Sequence, residues 1–152
     1  MSVTRYLASL VAAVSLWWLP LASPPAAAGE AAAPAPAPVP FVVQLTRSGE
    51  NFGHRRVMLQ IDRILDDLGA ERVRFVVVAY ENGIQALLAD NPETSQLVTK
   101  LANRGVVFRA CRISMRAWEL EEDQFPLEVE FIPAGAPEVI RLQLEGYRYW
   151  RP

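Results

Sequence analysis

Short apolar runs alternate with helical patterns along the chain from residue 41 onwards. Four of these runs are rich in valine or phenylalanine and end near turn-forming residues, as buried β-strands do. The run at 73–80 is almost continuously apolar, which is typical of a parallel strand covered on both faces. The run at 127–131 alternates apolar residues with glutamate, so we expect an exposed edge strand there. The predicted strands are 41–46, 73–80, 106–111 and 127–131.

Apolar residues at helical spacing predict helices between these strands. One such face lies at 57–68 and is followed by Gly69, a typical C-cap glycine. Asn91 is followed by proline and glutamate, which together form a typical helix start, so we expect the next helix to begin there. A short helical piece is predicted at 83–88. A last helix is predicted at about 137–145, with Val139, Ile140 and Leu144 facing inward.

Strands that alternate with helices are joined by right-handed crossovers and form a parallel sheet between layers of helices. The fold class predicted from the pattern is therefore α/β, with a small parallel sheet of four to five strands. In such a sheet the carboxyl ends of the strands lie along one edge, and ligands bind beyond that edge.

The first 28 residues differ from the rest of the chain in composition. Arg5 precedes an apolar run at 6–19, and the alanines at 26–28 match the small-residue preference of signal peptidase. The run is shorter than the roughly 18 apolar residues of a spanning helix, which favours a cleaved export signal over an uncleaved anchor. We expect an exported, periplasmic protein with no membrane attachment after cleavage. The alanine- and proline-rich stretch 29–40 is predicted to be a stiff linker, and the folded domain is expected at 41–152.

The charge balance limits the classes of partner. The chain carries a formal net charge of −2, whereas surfaces that bind nucleic acid or anionic lipid carry an excess of basic residues. We therefore expect no nucleic-acid partner. The predicted domain is long enough to bury a hydrophobic core of its own.

Cys111 is the only cysteine of the chain, so it cannot form an internal disulfide. It ends the third predicted strand, at the edge where ligands bind. Ser114 is expected to cap the helix that follows, and Arg112 lies beside the thiol in sequence. A helix N-terminus and a positive charge would both favour a reactive thiolate. The alternative is a small buried residue that only fills the end of the strand.

Other polar residues are expected at the same edge. Thr46 follows the first strand, and Glu81 and Asn82 follow the second, so these residues either border a polar ligand near Cys111 or simply form turns. His54 is the only histidine. It is predicted to be either a general base at this edge or, more simply, a solvated loop residue.

Several kinds of site have no matching pattern in the sequence. There is no glycine-rich phosphate loop of the Walker or Rossmann type and no G-x-S-x-G nucleophile elbow. One histidine and one cysteine do not supply an ordinary zinc site. We therefore expect neither a metal nor a cofactor, and a flavin or nucleotide domain that uses the loop at 46–49 is the weakest of the functions considered.

Three segments resemble the DsrE/DsrF-like family: AYENGIQALL at 79–88, RGVVFRACRISM at 104–115 and FIPAGAPEVIRLQLEGYRYWRP at 131–152. The last is the most specific, because it keeps a V-P-A-G turn, an apolar helix and an L-Q-x-E-G-Y ending with few changes. The resemblance covers about residues 41–152. It implies a three-layer, flavodoxin-like fold and a homo-oligomer, commonly a trimer or hexamer.

The resemblance also implies a role for the thiol. Better-known members carry sulfur as a persulfide on a cysteine, and in the members most similar to this chain that cysteine lies in an A-C-x-x-T-M pattern. The corresponding residues here read ACRISM at 110–115, so Cys111 is the implied sulfur-bearing residue and Ser114 keeps the hydroxyl of threonine. The chain departs from the family at two places. The ENG sequence at 81–83 replaces a common His-Gly pair, and Ile113 replaces an asparagine.

Two functions follow as hypotheses. The first is an exported sulfur carrier or thiol-redox protein that uses Cys111 and exchanges sulfur with a donor or acceptor protein. The second is a small-ligand-binding or assembly module without covalent chemistry, in which Cys111 is structural.

Overall fold

A computed structural model describes residues 36–50 and 53–152, and within these ranges five β-strands form one parallel sheet. The strands are β1 Val39–Leu45, β2 Val73–Ala79, β3 Val107–Cys111, β4 Val129–Ile132 and β5 Arg148–Trp150. The α-helices are α1 Gly53–Leu68, α2 Ser95–Ala102, α3 Arg112–Ala117 and α4 Gly135–Leu144, and two 3-10 helices span Glu81–Leu87 and Glu122–Gln124. The order across the sheet is β4-β3-β2-β1-β5. The α/β fold class predicted from the sequence is confirmed, with β4 at an edge as predicted.

The first strand begins at Val39, two residues before its predicted start. Proline at position 40 is tolerated inside the strand. The N–H of Val39 bonds to the carbonyl of Arg72, so the backbone nitrogen of position 40 faces the opposite side, towards β5. Because β5 pairs with β1 only from Phe41 onwards, the sheet needs no N–H from the proline. Residues 36–38 of the predicted linker have no regular secondary structure, and the predicted export signal at 1–28 lies outside the described residues. No helix within the described ranges is long and apolar enough to cross a membrane.

The central strands are covered by apolar side chains on both faces of the sheet. On one face α1 and α2 pack on the larger core cluster, which includes Val43, Val77 and Phe108. On the other face Val139 and Leu142 of α4 pack on a smaller cluster. This double burial is the reason why β2 lacks the alternation of a half-exposed strand.

The inward face of α4 differs from the prediction. Val139 is buried as expected, but Ile140 and Leu144 are 57% and 85% exposed, so their predicted inward orientation was wrong. Leu142 is buried instead. Residues three apart share a helix face, which makes Val139 and Leu142 the pair that contacts the sheet.

The start of α2 also differs from the prediction, because the helix begins at Ser95 and not at Asn91. Asn91 forms a turn: its Oδ1 accepts the N–H of Glu93 at 3.0 Å and its Nδ2 donates to the carbonyl of Gln85 at 2.9 Å. Such local bonds between side chain and backbone compete with helix formation. The predicted start was therefore about one turn too early.

The C-terminal residues form a fifth strand. β5 runs parallel to β1, with Tyr149 opposite Val42. The ring of Trp150 lies 6.1 Å from the ring of Phe75, measured between centroids. The aromatic C-terminus thus docks onto the core.

The 3-10 helix after β2 approaches the end of β1 at Gly83. A Cβ atom at this position would lie 2.1 Å from the carbonyl oxygen of Leu45 and 2.8 Å from the backbone nitrogen of Thr46. Any side chain here would therefore displace the backbone of β1. Gly83 allows the segment that follows β2 to close over this edge of the sheet.

We expect Gly83→Ala to lower the free energy of unfolding by about 3 kcal/mol, because the added methyl group would move the backbone of a buried strand. Urea denaturation measures the change. Gly105→Ala is the matched control. Gly105 has a φ of 87° and open space at its Cβ position, so this substitution should cost only about 1 kcal/mol for the left-handed backbone. Equal costs for the two variants would contradict the close approach at Gly83.

Candidate functional site

Cys111 lies at the carboxyl end of β3, as predicted, and directly precedes α3. The residue is only 3% exposed. Because side chains alternate along a strand, Cys111 points to the same face as Val107, which packs on the cluster covered by α4. The thiol is therefore buried beside the start of α4.

A backbone N–H is aimed at the thiol. The nitrogen of Gly135 donates a hydrogen bond to Sγ of Cys111 over 3.2 Å. Gly135 is the first residue of α4, and the first N–H groups of a helix have no acceptor within the helix itself. The sulfur supplies that missing acceptor.

Ser114 does not cap α3, contrary to the prediction. It is the third residue of the helix, and the cap position is occupied by Cys111 itself. The Oγ of Ser114 accepts the N–H of Glu81 at 2.7 Å, and the indole Nε1 of Trp118 donates to the Glu81 carbonyl at 3.2 Å. Glu81 has a φ of 51°, in the left-handed region that a non-glycine residue enters only at a cost. These two bonds hold the turn after β2 against α3.

The side chain of Arg112 contacts Glu122 and Phe131. Its guanidinium forms an ion pair with Glu122, and its Cζ lies 5.3 Å from the ring centroid of Phe131. It also borders a groove of about 390 Å³ along α3, together with Met115 and Arg116. The guanidinium of Arg112 is therefore paired with Glu122 and Phe131 at the surface.

Two further predicted neighbours lie along the same edge of the sheet. Thr46 is buried at the end of β1, whereas Asn82 is exposed in the 3-10 helix. Within residues 36–50 and 53–152, the hydrogen bond of Cys111 goes to Gly135 and to neither of these residues. The fold brings them to the same edge but not into hydrogen-bonding contact with the sulfur.

His54 is buried, and the prediction of a solvated loop histidine was wrong. It is 2% exposed and lies in the first turn of α1, which begins one residue earlier. Its Nε2 lies 2.7 Å from the carbonyl oxygen of Arg47. Because a carbonyl only accepts, this nitrogen is the donor, and His54 holds the loop after β1 against the helix.

The arrangement places the Cys111 sulfur beside a backbone donor from Gly135. Among the described residues, no group of three or more histidine, cysteine, aspartate or glutamate side chains is placed to hold a metal ion. The chemistry that these side chains can supply is that of a sulfur nucleophile.

Comparison with known proteins extends this description. Residues 41–151 match the DsrE/DsrF-like family. The chain belongs to this family. Among solved structures, the protein of unknown function MTH1491 from Methanobacterium thermoautotrophicum is 31% identical, with a TM-score of 0.61 over 77% of this chain and 100% of that one. No curated protein matches the chain. The five-stranded parallel sheet flanked by helices is consistent with the flavodoxin-like fold of a DsrE domain.

Two residues of this candidate site were not singled out in the sequence, namely Gly135 and Tyr80. A Cβ atom at Gly135 would lie 2.5 Å from Cδ1 of Tyr80, so the glycine allows the tyrosine ring to pack directly on the start of α4. A signal was present, since Gly135 belongs to the P-A-G turn of the most specific family segment. Glycine in a turn often marks a close backbone approach.

An ion-pair cluster around Glu138 holds the start of α4 to β3. The carboxylate accepts hydrogen bonds from Arg109 of β3 and, at 2.7 and 2.9 Å, from Arg141 of α4. The hydrogen bonds from Arg141 and the charge of Arg109 outweigh burial and hold the pKa of Glu138 below its usual value. The carboxylate side chain is 11% exposed, so this cluster is screened less than an ordinary surface pair.

We expect Ser114→Ala to lower the free energy of unfolding by about 1–2 kcal/mol, because the N–H of Glu81 loses its acceptor in a partly buried turn. Urea denaturation measures the loss. Thr99→Ala removes a hydroxyl from an exposed position of α2 and should change the stability by less than about 0.5 kcal/mol. A Ser114 variant as stable as the Thr99 variant would contradict the role assigned to this hydroxyl.

The pH dependence of stability tests the Glu138 cluster. Because the folded-state pKa lies below the usual value of 4.5, the ionised carboxylate stabilises the fold above that value. The contribution is lost as the pH falls through the lower folded pKa. Glu138→Gln should therefore be less stable than the wild type at neutral pH, and the difference should shrink between about pH 5 and pH 3. Urea denaturation across this range measures it.

Glu128→Gln is the matched control for this titration, because Glu128 is exposed. Its substitution should change the stability little at any pH. A stability difference for Glu138→Gln that stays constant across the acidic range would contradict a lowered pKa at Glu138.

Proposed function

We propose that this DsrE-family domain is a sulfur carrier or thiol-redox protein whose reactive group is the Cys111 sulfur. The observation that supports this function is the N–H of Gly135, 3.2 Å from Sγ, at the edge of the sheet where α/β domains bind ligands. A donor already in place stabilises negative charge on sulfur without rearrangement. The family supports the same role, because it includes sulfur-relay proteins.

The proposed step is a nucleophilic transfer of one sulfur atom. The Cys111 thiolate attacks a sulfane sulfur of a polysulfide or of a donor protein's persulfide, and a new S–S bond forms at Sγ. The bond between that sulfur and the rest of the donor breaks, and the donor leaves with the electron pair as a thiolate or a shortened polysulfide. An acceptor thiolate then attacks the outer sulfur and releases the Cys111 thiolate. The exchange needs no external oxidant or reductant.

The burial of Cys111 favours a second candidate function. At 3% exposure the residue is as hidden as the apolar core, where cysteine acts as a small hydrophobic residue. The domain would then bind a small ligand, or assemble with other copies, at the strand ends near Thr46 and Glu81. The Gly135 hydrogen bond would only satisfy the start of α4. The two functions differ in whether Cys111 reacts in the native state.

Intact mass spectrometry separates the two functions. We expect the native protein, expressed from the full chain and incubated with a polysulfide, to gain whole sulfur atoms that a reductant removes. Because Cys111 is the only cysteine, sulfur gained on a thiol reports on this residue, and Cys111→Ser should gain none. The same spectrum identifies the first residue of the recovered protein, so a start after residue 28 would support the export that we also propose.

The unfolded chain is the control for this experiment. In denaturant Cys111 is accessible, so it should accept sulfur whether or not the fold favours the reaction. Sulfur gained in denaturant but not in the native state would overturn the carrier function and favour the ligand-binding or assembly function.

A further inference from the structure

Tyr80 and Cys111 occupy equivalent places at the ends of neighbouring strands. Ala79 and Ala110 are the last pair in register between β2 and β3. Tyr80 and Cys111 each follow one member of this pair. Side chains alternate along a strand, and both residues point to the face that α4 covers. On that face Tyr80 packs against the smaller apolar cluster, and the sulfur of Cys111 reaches Gly135.

The two side chains meet at Gly135. Its nitrogen donates to Sγ of Cys111 over 3.2 Å, and a Cβ atom on the same residue would lie 2.5 to 2.7 Å from three atoms of Tyr80. The tyrosine therefore packs directly against the backbone whose N–H reaches the sulfur. A shift of the ring would therefore allow the Gly135 backbone, and with it the N–H that bonds to the sulfur, to move.

The far end of the ring is fixed by hydrogen bonds. The hydroxyl of Tyr80 accepts from Nε2 of Gln44, and Oε1 of Gln44 accepts from the hydroxyl of Tyr149. Gln44 lies in β1 and Tyr149 in β5. The ring is thus held by packing at Gly135 and, through its hydroxyl, by Gln44 of β1, which Tyr149 of β5 holds in turn.

We propose that Tyr80 is a positioning residue for Cys111, because its ring holds the start of α4 where the N–H of Gly135 bonds to the sulfur. The inference rests on the proposed sulfur chemistry of Cys111, and it adds a residue through which that chemistry is controlled. Tyr80 acts through Gly135, since its own hydroxyl bonds to Gln44. Without the ring, the backbone at Gly135 gains freedom and the sulfur loses a fixed donor.

Native-state amide hydrogen exchange, read by NMR, tests the geometric part. We expect Tyr80→Ala to speed exchange of the Gly135 amide about tenfold relative to the Leu142 amide of the same helix, since lost hydrogen bonding exposes the amide locally. Because a general loss of stability speeds exchange of both amides, the ratio of the two exchange rates reports only the local change at Gly135. Cys111→Ala, which lacks the sulfur acceptor, gives the reference rate for an unbonded Gly135 amide. Tyr80→Phe keeps the ring and should stay close to the wild-type ratio.

Sulfur loading in the native state tests the functional part. Tyr80→Ala should load sulfur about tenfold more slowly than the wild type, because displacement of a positioned group costs reactivity on this scale. Tyr147→Ala is the matched control, since it removes a tyrosine that packs on the same apolar cluster. It should lower stability but leave the Gly135 exchange ratio and the loading rate unchanged. Tyr80→Leu, which keeps an apolar side chain but no ring, replaces the alanine variant if that variant does not fold.

The outcomes separate this inference from the proposed function. A folded Tyr80→Ala or Tyr80→Leu variant with the wild-type exchange ratio overturns the inference, whatever its loading rate. Faster exchange with unchanged loading also overturns it. A wild-type protein that takes up no sulfur overturns the proposed function, and the exchange ratio then still decides whether Tyr80 holds the Gly135 hydrogen bond.

Discussion

The burial of β1 and β2 on both faces is the constraint on which the other elements depend. Val43 and Val77 on one face, and Val42 and Val78 on the other, are each fully buried. Strands buried on both faces need helices on both sides, and the crossovers that place helices there make the strands parallel. Parallel strands end at one edge, so the position of Cys111 beside the segments that follow β1 and β2 is a consequence of how the core is buried.

On the face that contains the sulfur, α4 contributes both to the core and to the site. Val139 and Leu142 bury its inner side, and Glu138 joins it to β3 through Arg109. The first N–H of the same helix bonds to Cys111. The position of the Gly135 N–H beside the sulfur therefore depends on the packing and the ion pairs that hold α4 to the sheet. The lowered pKa of Glu138 extends that anchoring into mildly acidic conditions.

The predictions from sequence were wrong where a side chain that fits a local pattern forms a tertiary contact instead. Ser114 has the chemistry of a helix cap, yet its hydroxyl bonds to the backbone of Glu81 because the turn after β2 lies against α3. His54 is polar and close to a loop, yet it is buried at the start of α1 and its Nε2 donates a hydrogen bond to the Arg47 carbonyl. In each case the hydrogen-bond partner lies outside the helix start from which the prediction was made. No periodicity in the chain could have identified it.

The sequence by itself determined the class of fold and the position of Cys111 at the carboxyl end of the third strand. Hydrophobic periodicity encodes which faces are buried, and burial in turn sets the layers and the direction of the strands. Only the tertiary structure decided that Gly135 donates to Cys111, that Tyr80 packs on Gly135 and that Arg112 points to Glu122. These contacts join residues more than 20 positions apart or depend on side-chain direction, and both are set by how α3 and α4 pack on the finished sheet.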